Sequence, residues 1–144
     1  TEVIAVYIFY NFIYAILAYP LGILADKLGN KKILLLGIIT FALVYVGFAF
    51  SSNLLIYVFL FALYGLYAAA TEGVAKAWIS NIAPKNETAT AIGTFAGLQS
   101  IAALFASSFC GLLWYKFGAT ATFVVTAIAA FITFVFIFNF KEKN

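Results

Sequence analysis

Five apolar stretches, each about the 20 residues a helix needs to cross a hydrocarbon core about 30 Å thick, dictate what this chain can become. They lie at about 2–23, 33–51, 54–82, 88–115 and 120–140. Hydrophobic residues make up 66% of the 144 and charged residues 9%, against roughly a quarter charged in a soluble domain. The class implied is all-α, a polytopic membrane protein whose five transmembrane helices form a single bundle. The connections "ADKLGNKK", "SSN", "APKNET" and "KFGA" are short, so successive helices form antiparallel hairpins with no soluble domain between them. Thr1 stands at the edge of an apolar run without a methionine or a basic leader, which reads as a fragment of a larger protein and not as a cleavable signal peptide.

The residues that are absent narrow the chemistry. There is no histidine, no arginine and one cysteine, Cys110, so an internal disulfide, a Cys/His metal site and histidine acid–base catalysis are all excluded. The sequence is expected to have no catalytic residues, no metal and no cofactor, and Cys110 reads as a small packing residue. The lysines set the orientation. Lys27, Lys31, Lys32, Lys85, Lys141 and Lys143 fall on one side of the membrane, and Lys116 alone on the other. The positive-inside rule then makes the loop at 24–32 and the C-terminus cytoplasmic. Asn86-Glu87-Thr88 fits a glycosylation acceptor, but that orientation keeps it away from the glycosylation machinery. Tyr19, Trp78, Trp114 and Tyr115, near helix ends, suit the aromatic belts of the interfaces.

The first loop contains more than topology requires. Gly29 suits the left-handed backbone of a tight two-helix turn, Gly22 removes a side chain where the first helix would approach a neighbour, and Asp26 can accept from the free N–H groups of a helix start. Gly22-Ile23-Leu24-Ala25-Asp26-Lys27-Leu28-Gly29-Asn30-Lys31 resembles the cytoplasmic signature loop of the major facilitator superfamily (MFS), in which G-x-L-A-D is followed by a basic residue, any residue, Gly and two basic residues. Asn30 departs from that pattern. The same frame recurs 89 residues on, where Gly111-Leu-Leu-Trp-Tyr-Lys-Phe-Gly118 aligns with Gly22 to Gly29 at both glycines, a leucine and a lysine. The two copies lie on opposite faces of the membrane, as inverted-topology repeats require.

The resemblance implies a 12-helix transporter fold of which the five stretches are helices 8 to 12, the C-terminal half without its first helix. The fourth stretch has no Gly-Pro pair, and "KEKN" ends the chain as a tail; both favour that half. It further implies a secondary active transporter moving a small solute by alternating access, whose partners are the lipid bilayer, a small-molecule substrate and the missing N-terminal half, with no nucleic acid. The location implied is the cell membrane, and the coupling ion H+ or Na+. In the family the loop aspartate latches the two halves together on the cytoplasmic side, a role that falls to Asp26.

Glu72 and Lys76 are costly residues inside an apolar helix, at roughly 2.5–3.5 kcal/mol each near the bilayer centre. Spaced i,i+4, they share a face and can pair. With Asp26, Lys27 and Lys31, and with Gly22 and Gly29 shaping the loop, they resemble the cytoplasmic gate network of the family. Glu72 has two readings: an ionised member of that gate, favoured by a lysine one turn away, or a proton-coupling carboxylate whose pKa rises on burial. Tyr7, Asn11 and Tyr14 share one face of the first helix, with Tyr10 at its margin, and Tyr64, Tyr67 and Thr71 share one face of the third. Together with Gln99 they are the candidate cavity lining, suited to a neutral, cationic or amphiphilic solute. Gly93, Gly97, Ser100, Ser107 and Gly111 form a small-residue seam of the kind that brings helices close. A non-transporting structural or assembly subunit of a membrane complex is the alternative reading, and it would tolerate loss of Asp26 and Glu72.

Overall fold

The structure, a computed structural model, describes residues 2–140. Lys141 and Lys143 of the expected cytoplasmic tail lie outside the described residues. Helix α1 spans Glu2–Leu28, α2 Asn30–Phe50, α3 Leu54–Ile82 and α4 Thr88–Asn139, and no strand occurs among the described residues. The long α4 is not one rod. Gly118, inside it, has φ 82 and ψ 178, and the chain reverses there: Cys110 Sγ stands 3.9 Å from Thr126 Oγ1, where 16 residues of continuous helix would place them about 24 Å apart. The Trp114 and Phe123 rings meet edge to face across the same reversal, 5.6 Å apart. α4 is therefore two antiparallel legs, 88–117 and 119–139, and the chain makes five passes.

The turns are tighter than the sequence suggests. The loop expected at 24–32 contracts to one residue, because α1 continues to Leu28 and α2 begins at Asn30. Apolar runs mark the lipid-immersed part of a helix, whereas Ala25, Lys27, Leu28, Lys31 and Lys32 are good helix formers that carry the coil beyond it. Gly29, at φ 98 and ψ 138, makes the break. Gly29 and Gly118 have the only positive φ angles among the described residues, and they are one of the two glycine pairs that the 89-residue repeat aligns. Neither conformation is open to a residue with a Cβ without strain.

Packing follows the small residues. α1 and α3 run parallel, with Gly65 against Ile13 and the Tyr10 carbonyl: a Cβ on Gly65 would lie 2.9 Å from Ile13 Cγ2 and 3.1 Å from that oxygen. α2 lies antiparallel to α3, with Gly37 opposite Ala70 and Thr71 and Gly47 opposite Leu60. Its other side packs on the second leg of α4, where Tyr45 and Phe48 meet Phe123. In lipid such close approaches hold helices together through dispersion, since no hydrophobic difference separates a leucine from a lipid tail. Leu21, Ala25, Ile33, Ala69, Ala70 and Val74 form the buried cluster at the lysine-rich end.

Within this chain Lys31, the small-residue seam and Gly22 do not make the contacts expected of them. Lys31 is not in a carboxylate network. Its ammonium donates to the carbonyl of Phe138 at 3.2 Å and to that of Phe140, capping the last turn of α4, where the negative end of the helix dipole favours a cation. The small-residue seam is also unpacked within this chain. Nothing lies within 4 Å of a Cβ placed on Gly93, Gly97 or Gly111, and Ser100 and Ser107 are exposed, because the first leg of α4 turns Cys110 toward the second leg and its seam away. Gly22 likewise has nothing within 4 Å, so it marks an opening and not a close helix contact.

Candidate functional site

A cavity of about 790 Å³ runs between α1 and α3, within the range of small-molecule sites. Val6, Tyr7, Tyr10, Asn11 and Tyr14 line it from α1, and Leu54, Tyr57, Phe61, Tyr64 and Glu72 from α3. The α3 contribution is a helical stripe, since Tyr57, Phe61 and Tyr64 recur at steps of four and three residues and Glu72 follows two turns later. The aromatic wall is continuous: Tyr7 and Tyr10 ring centroids are 6.2 Å apart, and Tyr10 and Tyr64 are 5.3 Å apart. The amide nitrogen of Asn11 donates to the Tyr7 carbonyl at 2.7 Å, which leaves its oxygen as an acceptor.

Glu72 is the one charged residue among the described lining. It sits four residues past the midpoint of α3, about 6 Å along an axis about 43 Å long. Its carboxylate is within electrostatic reach of Tyr10, Tyr14 and Tyr64. Lys76, one turn on, is exposed and does not line the cavity, and among the described residues no ammonium and carboxylate approach within the 4.0 Å of an ion pair. Within this chain Glu72 and Lys76 pair neither with each other nor with the loop charges among the described residues. Shared helix face is necessary for an i,i+4 pair but not sufficient, and Glu72 faces α1.

The whole chain, residues 1–144, matches the family model of the Major Facilitator Superfamily. The chain belongs to that superfamily. Among its relatives is the uncharacterized MFS-type transporter MJ1317 of Methanocaldococcus jannaschii, 38% identical over 130 residues, which cover 90% of this chain and 32% of the relative. The multidrug resistance protein MdtG of Salmonella arizonae is 31% identical over 135 residues, 93% of this chain and 33% of that protein, and MdtG of a Rahnella species matches at the same identity. The chain thus spans about a third of the length of the curated relatives it matches. No solved structure matches it significantly. The superfamily is one of membrane transporters, not of enzymes, and no group of three or more potential metal ligands occurs among the described residues.

Within this superfamily chain the signature loop flanks a second, smaller pocket of about 250 Å³ at the lysine-rich end. Gly22, Ala25 and Asp26 of α1, Asn30 of α2, and Gly73, Val74 and Ala77 of α3 line it, with Tyr14 shared between the two spaces. Asp26 does not cap α2, whose first turn has no side-chain cap; it lies inside the last turn of α1, where the helix dipole disfavours an anion. Lys27, beside it, is exposed.

Of the residues named from sequence as cavity lining, the structure brings Tyr7, Asn11, Tyr14 and Tyr64 together and turns the others away. Tyr67 packs on Phe41 at 4.5 Å. The Thr71 hydroxyl donates to the Tyr67 carbonyl at 2.8 Å, with its methyl against Gly37. Both belong to the contact of α3 with α2. Gln99 is exposed on the first leg of α4 and lies outside the cavity. Tyr57 and Phe61 were missed, although their register with Tyr64 carried the signal.

Proposed function

We propose that this chain is the C-terminal half, helices 8 to 12, of a 12-helix secondary active transporter that moves a small solute by alternating access. The observation that carries the reading is the open cavity between two membrane-spanning helices, lined by α1 and α3 and by one carboxylate, in a chain of this superfamily. A transporter that rocks two bundles about a midplane site needs a half-site of this kind, closed by a second half that precedes Thr1. On this reading the lysine-rich end is cytoplasmic, the membrane is the cell membrane, and Asp26 with Lys27 and Lys76 meets charges of the other half when the cytoplasmic side shuts. Glu72 is the candidate for coupling to H+ or Na+. The similarity to MdtG, a protein named for multidrug resistance, supports a drug as the solute.

Two measurements test the proposal. The intact mass of the native polypeptide should be near three times the 15.7 kDa of this chain; a product of 15.7 kDa favours the structural-subunit reading instead. The complete protein in proteoliposomes should take up solute under an imposed proton or sodium gradient, with Glu72→Gln losing the gradient dependence. Uptake driven equally well by the variant removes Glu72 from coupling.

A further inference from the structure

Two spaces lie in series along the groove between α1 and α3. The larger begins at Leu54, the first residue of α3, and reaches Glu72; the smaller runs from Ala69 to Ala77 on α3 and ends at Asp26 and Asn30 by the lysine-rich face. From Leu54 to Ala77 is about 35 Å of helix, more than a hydrocarbon core about 30 Å thick. Tyr14 is the one residue common to the described lining of both. We infer that the smaller space is a water-filled proton route between Glu72 and the lysine-rich face, and that the Tyr14 ring is the valve that closes it; the inference rests on the reading of Glu72 as the coupling carboxylate, in a protein whose second half covers the groove.

The smaller space suits water better than a solute. Its volume, about 250 Å³, holds several waters at about 30 Å³ each and falls below the roughly 300–1,000 Å³ of small-molecule sites. Asn30 Oδ1 is buried and accepts no hydrogen bond among the described residues, the situation that buried water resolves. The Asp26 carboxylate at the mouth and the Tyr14 hydroxyl are further polar partners. A Cβ on Gly22 or Gly73 would meet nothing within 4 Å, so the walls leave the space open. The Tyr14 ring is held, because it packs on the buried cluster that includes Leu21, Ala25 and Val74. Glu72 is the charged group that faces it from α3; at the mouth Lys27 points to solvent and Lys31 is bound to the end of α4. With the ring aside, the Glu72 carboxyl gives its proton to a water of the smaller space and becomes a carboxylate, and the proton leaves along the water past Asp26. With the ring in place the water is interrupted. A coupling carboxylate needs that interruption, since one reached from both faces at once would dissipate the gradient without moving solute.

The test is the passive proton leak of proteoliposomes holding the complete protein, with no solute present. An internal pH dye follows the collapse of an imposed pH gradient while potassium and valinomycin clamp the membrane potential. Tyr14→Ala should leak at least about ten-fold faster than the wild type. Tyr14→Phe, which keeps the ring, should stay tight, and Gly73→Leu added to Tyr14→Ala should close the leak by filling the smaller space. Tyr64→Ala, which removes a ring from the larger space alone, should also stay tight. A monodisperse Tyr14→Ala protein that leaks within about two-fold of the wild type overturns the inference, and so does an equal leak from Tyr64→Ala, which would mean a loosened helix pair and not a valve. A second measurement leaves Tyr14 untouched. In a Cys110→Ser background in nanodiscs, Gly73→Cys should bind silver ion, read after denaturation as protection from alkylation, because a thiolate forms in water and not in lipid. If it is protected no faster than Ile128→Cys, exposed on the second leg of α4, the smaller space is dry and the inference falls. Failure of the transport reading looks different. The expected leaks without gradient-driven solute movement overturn transport and leave the route intact, whereas coupled transport by a protein whose Tyr14→Ala variant stays tight does the reverse.

Discussion

At the scale of single residues, this protein depends on where side chains are missing. Gly65 lets α1 and α3 approach until the Tyr10 carbonyl lies 3.1 Å from the place of its absent Cβ, with the branched Cβ of Ile13 at 3.0 Å. Neither neighbour is the loose end of a flexible chain. Gly65→Val should therefore force α1 outward and destabilise the protein by about 1–3 kcal/mol, read as an earlier loss of the monodisperse peak on heating in detergent, while Gly73→Ala, with nothing within 4 Å, should leave it unmoved. Sequence periodicity located Tyr7, Asn11 and Tyr14 because they share the face of α1 that lines the cavity, and Tyr64 because it stands at the edge of the α3 face toward α1. It misplaced Tyr67 and Thr71 because at 100° per residue they fall on the α2 side of Tyr64, while Tyr57, Phe61 and Glu72 fall on the side facing α1. A boundary that narrow depends on how α3 is rotated against two neighbours, and one helix's pattern does not contain that rotation.

At the scale of elements, hydropathy found the membrane passes but not the helix ends, since helix propensity continues where lipid stops. Four continuous helices result from five apolar stretches only because Gly118 reverses α4 without any intervening loop. Gly29 and Gly118, at φ 98 and φ 82, are the residues on which the hairpins turn. Alanine at either position should cost about 1–3 kcal/mol through backbone strain alone, since nothing lies within 4 Å of a Cβ at either one. Thermal unfolding of Gly29→Ala and Gly118→Ala beside Gly22→Ala, a helical glycine with the same open surroundings, separates strain from crowding: the first two should fall together and the third should not.

At the scale of the molecule, the superfamily was legible in ten residues of one loop, whereas the use of each surface was not. The first leg of α4 presents Gly93, Gly97, Ser100 and Ser107 to no neighbour among the described residues, so no packing within the chain accounts for its seam. Orientation is a property of the same scale. In a Cys110→Ser background, Lys85→Cys should react with a membrane-impermeant thiol reagent only after the membrane is opened, and Lys116→Cys should react in intact cells; the reverse pattern would invert the proposed topology.

The one-residue joint at Gly29 also has a mechanical meaning. A connection with no slack cannot absorb relative travel between α1 and α2, and Lys31, two positions on, is fastened to the final turn of α4. Tilting α1, the helix that carries half of the aromatic wall, would then act as a lever on α2 and pull on the far end of the chain. The turn at Gly29 and the last turn of α4 are in this way tied into one mechanical unit by a single lysine.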